Sequence, residues 1–171
     1  MRIHLRPSRL KIRRQSVKWI IVHHTAELYK QPEVQVDNPK FQMDGIVTGV
    51  HTDKQADINY NYVIDRIKED WWPIVTRPIV YLCEWDDISP DINNRAVHVA
   101  LLGSYDLKIP TTRLYEVLAY RLLNPMLKLF NIAPNRIKLH RDVSSNKELS
   151  CPGDFFKEEK LITLVRKFVI K

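Results

Sequence analysis

The order of hydrophobic patterns along the chain predicts a mixed α/β domain, with a single central β-sheet flanked by α-helices. Three observations carry this. Continuous apolar runs mark buried strands at "WIIV" (19–22) and "RAVHVALLG" (95–103), the segment "INYNYVID" (58–65) alternates with a period of two, and helical spacing appears only late, from Thr111 onward. With 171 residues and 44% hydrophobic content, the chain suits one globular domain spanning 1–171, with a basic arm at about 1–17.

The arm holds Arg2, Arg6, Arg9, Lys11, Arg13 and Arg14, with Lys18 just beyond it, and accounts for much of the net charge of +7. That charge favours an acidic partner, and nucleic acid, anionic membrane and wall polymers all meet the description. The start is basic without the apolar core of a signal peptide, and no run approaches the roughly 18 apolar residues of a membrane span. The expectation is a protein made in the cytoplasm without a signal peptide and without a transmembrane segment.

"VKWIIVHHT" reads as the first buried strand. The long polar stretch from Glu27 to Asp57, broken by Pro32 and Pro39, reads as an insertion beside the site. "INYNYVID" is predicted as a strand with one buried face that Tyr60 and Tyr62 share, and "WWPIVTRPIVYL" as a further short strand. "CEWDDISPDINN" is a turn-rich acidic connection, and "RAVHVALLG" a central strand covered on both faces. Thr111 or Thr112 caps a helix with Leu114, Val117, Leu118 and Leu122 at helical spacing, which Pro125 kinks or divides. "NRIKLH" is a short strand, and "DFFKEEKLITLVRKFVIK" a closing amphipathic helix with Asp154 near its start.

Chemistry gathers at three positions. His23 and His140 each end a strand, and Cys151 sits in the tight turn "SCPGD" eleven positions after His140. Two imidazoles and a thiolate suit zinc, which takes such ligands at about 2.0–2.3 Å and in catalytic sites leaves its fourth position to water. That water becomes a nucleophile near neutral pH. His24 points to the opposite strand face and is assigned to the far side or the rim. His4, His51 and His98 have no comparable context and are expected to be non-ligands. Cys83 and Cys151 can in principle pair, but their neighbourhoods differ.

The ordered blocks "IIVHHTA", "NYNYVID", "AVHVALLGSYD" and "LHRDVSSNKELSCPGDFF" resemble the zinc amidases that include N-acetylmuramoyl-L-alanine amidases, phage lysozyme-type amidases and peptidoglycan recognition proteins. The resemblance runs from about Trp19 to Phe156. It implies that His23, His140 and Cys151 hold Zn2+. It also implies that Tyr60 is a catalytic tyrosine, whose hydroxyl would steady charge appearing in the transition state. Lys147 falls near the place of a second catalytic group, although here it lies four positions before the cysteine. Arg77 in "TRP" and Thr25 are implied to contact substrate. Ala100 stands where some amidases of this fold place a glutamate base. "CEWDD" replaces a histidine-containing segment, which makes Glu84, Trp85, Asp86 and Asp87 candidates to line an altered pocket, with Trp85 stacking on a sugar or peptide face.

The implied activity is cleavage of the amide bond between N-acetylmuramic acid and L-alanine in bacterial peptidoglycan by a monomeric enzyme of the phage or prophage endolysin type. It would reach the wall by holin release or with the phage. The competing reading is a non-catalytic peptidoglycan-recognition module of the same fold. A specific nucleic-acid binder with structural zinc would need a fourth protein ligand, and neither Cys83 nor His24 has the spacing for it.

Overall fold

A computed structural model describes residues 10–26, 59–67 and 69–169. The arm through Arg9, the long segment from Glu27 to Asp57, and His4 and His51 lie outside the described residues.

The centre is a five-stranded mixed sheet: β1 (Trp19–His24), β2 (Tyr62–Ile67), β3 (Asp70–Val75), β4 (Ala96–Leu101) and β5 (Ile137–Leu139), in the order β3-β2-β4-β1-β5. β1 runs parallel to β4 and β5, and β2 runs parallel to β4, while β3 folds back antiparallel on β2. β4 is the middle strand and all six of its residues are buried, so its side chains are apolar or, at His98, bonded. Pro73 lies on β3, the edge strand, where a missing N–H costs the sheet least.

One face of the sheet is covered by helices. Thr111 caps α2 (Thr112–Glu116), its side chain accepting the Leu114 N–H at 3.2 Å. A π-helical stretch, Val117–Leu123, carries the chain into α3 (Asn124–Phe130), which ends at Asn131 in the left-handed region. Pro125 has no N–H for the carbonyl four residues back, and the Asn124 N–H reaches Ala119 instead, so the proline divides the helix by widening a turn. With α5 (Glu158–Val169), this layer packs Leu114, Leu118, Leu122, Leu161 and Val165 against Ile20, Val22, Ile64, Val97, Val99 and Leu101. The short α1 (Pro90–Asn93) and α4 (His140–Val143) lie on either side of β4 and β5 in sequence.

Two expectations are corrected. Tyr60 and Tyr62 do not share a face: β2 starts at Tyr62, which packs against the helix-side core, whereas Tyr60 clusters with Val63, Ala100 and Leu102 on the other side. The reason is Asn61, whose backbone N–H donates to His98 O and whose side chain binds both His98 N–H and the carbonyls of Arg77 and Tyr81, so strand alternation fails at that residue. Asp154 does not open the closing helix. Its backbone is held by Asp106 in the turn after Gly153, and Glu158 and Glu159 supply the acidic first turn.

Candidate metal centre

Alternation along β1 sends Ile20 and Val22 to the helices and turns Ile21 and His23 to the other face. His140 begins α4 directly after β5, the strand beside β1, and Cys151 lies in the following loop. The structure thus brings three distant segments together: one ligand atom from each of His23, His140 and Cys151 falls within 4.8 Å of the others, and all three residues are buried.

The "HRDV" and "CPG" segments are held to each other by their own letters. Arg141 N–H donates to Cys151 O, and its guanidinium donates to Ser150 O and Gly153 O, each at 3.0 Å, while Asp142 accepts the Leu139 N–H at 3.0 Å. Gly153 has a φ of +108°, and a Cβ there would lie 2.3 Å from the Tyr105 carbonyl carbon, so only glycine lets this loop seat. His24 completes the clamp from the far side of β1. Its Nδ1 accepts the Tyr105 N–H at 3.2 Å, and its backbone N–H points at Cys151 Sγ at 3.4 Å.

Both histidines of the cluster carry partners on Nε2. Asp87 meets His140 Nε2 at 3.0 and 3.2 Å and also accepts from the Ser144 hydroxyl. His23 Nε2 lies 2.9 Å from His98 Nδ1. The residue expected to stand outside the site is therefore buried against its first member.

Burial drives the charge states. It holds His23 well below the usual imidazole range, helped by His98 and His140, and lowers His140 against the pull of Asp87. His98 is likewise held well below that range by burial, with Arg13, His140 and Arg77 adding to the effect. Burial also pushes the Cys151 thiol up to about 12, which the His24 N–H only partly offsets. At Asp87 burial pushes upward, but the hydrogen bonds and charge from Ser144 and His140 prevail and keep its carboxyl below the ordinary value.

Aromatic rings wall the cluster. Trp85 stacks on His23 with ring centres 4.8 Å apart and stands 5.2 Å from His140 and 5.3 Å from Tyr60. Tyr60 meets His23 edge-on at 5.4 Å. The other residues expected at the site have the following partners among the described residues. Arg77 is buried, and its Nη1 donates to Asn59 Oδ1 at 2.9 Å and Leu82 O at 2.6 Å, so it braces the wall of the site. Thr25 is buried and accepts the Gly103 N–H at 3.0 Å, tying the end of β1 to the end of β4. Lys147 is exposed, its ammonium 3.5 Å from Ser144 O. Glu84 is exposed and paired with Lys11. Cys83 and Cys151 are both buried and are not joined to each other.

Donor chemistry fits zinc. Two neutral imidazoles and a cysteine sulfur are borderline-soft ligands, and His23 Nδ1 is a buried nitrogen without a hydrogen-bond partner among the described residues.

Fold and cluster define a class: an α/β protein with a buried two-histidine, one-cysteine group at the ends of parallel strands. The family model of N-acetylmuramoyl-L-alanine amidase matches residues 13–154, and the chain belongs to that family. Curated protein sequences give no match. Among solved structures, the chain is similar to the N-acetylmuramoyl-L-alanine amidase LysC from Clostridium intestinale URNW, with 20% identity, 92% of this chain and 89% of that one covered, and a TM-score of 0.59. It is similar to the Ph2119 endolysin from Thermus scotoductus MAT2119 bacteriophage Ph2119, with 18% identity, coverage of 91% and 89%, and a TM-score of 0.62. It is also similar to the Drosophila peptidoglycan recognition protein PGRP-LB, with 18% identity, coverage of 93% and 85%, and a TM-score of 0.58.

Proposed function

We propose that this protein is a zinc-dependent peptidoglycan amidase that cleaves the bond between N-acetylmuramic acid and L-alanine. The convergence of His23, His140 and Cys151 on one point carries the reading, because three buried donors from separate segments have no other evident task. These three would hold the metal. When bound, zinc supplies a Lewis acid and lowers the pKa of bound water toward neutrality.

The chain's own groups do the rest. Asp87 and Ser144 orient His140, and Arg141 holds the loop that presents Cys151. Tyr60, edge-on to His23, is assigned the hydroxyl that steadies the oxyanion as the scissile carbonyl is attacked. With Ala100 in the adjacent strand register position to His23, no carboxylate base stands there, so the tyrosine carries more of that work. Trp85 offers an aromatic face at the cluster, suited to a sugar ring or the L-alanine methyl. The positive charge favours encounter with an anionic wall. A role as a phage or prophage lysis enzyme is supported by its likeness to the Ph2119 endolysin.

The deciding experiment follows new amino termini released from purified peptidoglycan. Release of L-alanine amino groups that stops on chelation, returns with zinc and is absent in Cys151→Ala is expected. Binding to peptidoglycan without release would make the protein a recogniser and reject the enzyme.

A further inference from the structure

His98 interrupts an otherwise apolar central strand, "AVHVAL", at a cost that needs a reason. It is fully buried, its Nδ1 lies 2.9 Å from His23 Nε2, and its backbone is fixed on both sides by Asn61, which accepts the His98 N–H at 3.1 Å and donates to His98 O at 2.9 Å. Of the two nitrogens on His23, Nε2 is taken up by this contact and Nδ1 is buried without a hydrogen-bond partner among the described residues.

We infer that His98 is a positioning residue that fixes the tautomer of His23, accepting a proton-bearing Nε2 so that the Nδ1 lone pair is turned to the metal position. The inference rests on the zinc reading above. One of the two facing nitrogens must donate. If His98 Nδ1 carried the proton, His23 would carry its own on Nδ1, where a metal ion needs a lone pair. If His23 Nε2 carries it, Nδ1 is bare and His98 is neutral with its proton on Nε2, a buried atom without a hydrogen-bond partner among the described residues.

The two metal-facing histidines are then held by unlike partners. A carboxylate, Asp87, orients His140 and strengthens it as a donor. A neutral imidazole orients His23 and adds no charge to it. Both rings are left to coordinate through Nδ1.

Two measurements test this on the full chain. Long-range proton–nitrogen spectra of the zinc-loaded wild type read each tautomer directly. His23 with its proton on Nε2 and His98 with its proton on Nε2 is the expected result. Zinc affinity by competition with a chromophoric chelator is expected to fall about 10–100-fold in His98→Leu, the usual range for an outer partner of a metal ligand. It is expected to recover to within a few-fold in His98→Asn, whose Oδ1 can accept where Nδ1 did. Zinc-bound wild type with the His23 proton on Nδ1, or His98→Leu binding zinc as tightly as wild type, overturns the inference and leaves the amidase reading standing. Wild type that takes up no zinc overturns both.

Discussion

The two faces of the central sheet are built on opposite rules. On the helix side, Ile20, Val22, Ile64, Val97, Val99 and Leu101 meet a layer of leucines, and any apolar group of the right volume satisfies the contact. On the other side the same strands present His23, His98 and Asp65, all fully buried, beside Tyr60. There each polar atom either finds a specific partner or remains an unsatisfied cost. The first face stores stability; the second spends some of it to hold reactive groups in place.

The sharpest break of this comparison removes a donor from the polar face. Cys151→Ala is expected to lower amidase turnover at least about a thousandfold, roughly 4 kcal/mol of transition-state stabilisation, while the apo melting temperature stays near that of wild type. Amino-group release and a thermal melt on the same sample check both halves. A large fall in melting temperature would mean that the cysteine holds the fold as well as the site.

The mirror-image experiment is Leu118→Ala on the helix face. Leu118 is fully buried among Ile20, Val97 and their neighbours in the core, and the truncation is expected to cost about 3 kcal/mol. For a chain of this size that lowers the melting temperature by about 6–12 °C. Activity below the transition is expected to change less than twofold, because nothing on the polar face moves.

Local pattern explains what was legible beforehand. The helix face follows from short-range periodicity, so β1, β3, β4, the Thr111 cap and the division at Pro125 all appear where the sequence puts them. The three converging residues were also legible, since strand-end histidines and "CPG" are local signs. Their partners were not. His98 is 75 positions from His23, and Asp87 is 53 from His140, and no periodicity links such pairs. Only one sign existed for His98: a lone imidazole in a strand too apolar to tolerate it unpaired. Arg77, which the resemblance implies to contact substrate, is buried and donates to the Asn59 side chain and the Leu82 carbonyl, partners that no local pattern announces.

Asp65 sharpens the contrast, being a cost on the polar face with no evident return. Both its carboxylate oxygens are buried with no well-formed hydrogen bond among the described residues, and burial raises its pKa from 3.8 to about 6 against a weak pull from the Arg66 backbone N–H. Because the folded protein binds this proton more tightly than the unfolded chain, the group's contribution is fully present below about pH 4. It is lost as pH rises through about 6, and the loss is complete above that. Two pKa units correspond to about 3 kcal/mol, of which Asp65→Asn should recover about 2 at pH 7, since its amide still lacks partners. A melting temperature raised by about 5 °C at pH 7 and unchanged at pH 4 is expected. An equal gain at both values would locate the effect in packing and acquit the charge.

The smallest effect is expected at Lys147, and its size tests where the polar face ends. Lys147 is exposed, and among the described residues its ammonium makes one long contact, 3.5 Å, to the Ser144 carbonyl. Among the described residues Ser144 meets the cluster through its hydroxyl to Asp87, which meets His140 Nε2, and through its backbone N–H to the His140 carbonyl, on the side away from the ring. A solvated cation at that remove is screened from the reacting carbonyl, so Lys147→Ala should cost less than about threefold in kcat/KM. A fall of a hundredfold confined to kcat, with KM unchanged, would have a different meaning: the "SSNKELS" loop then closes on the transition state, and the reactive face extends to a side chain that the free protein leaves in water.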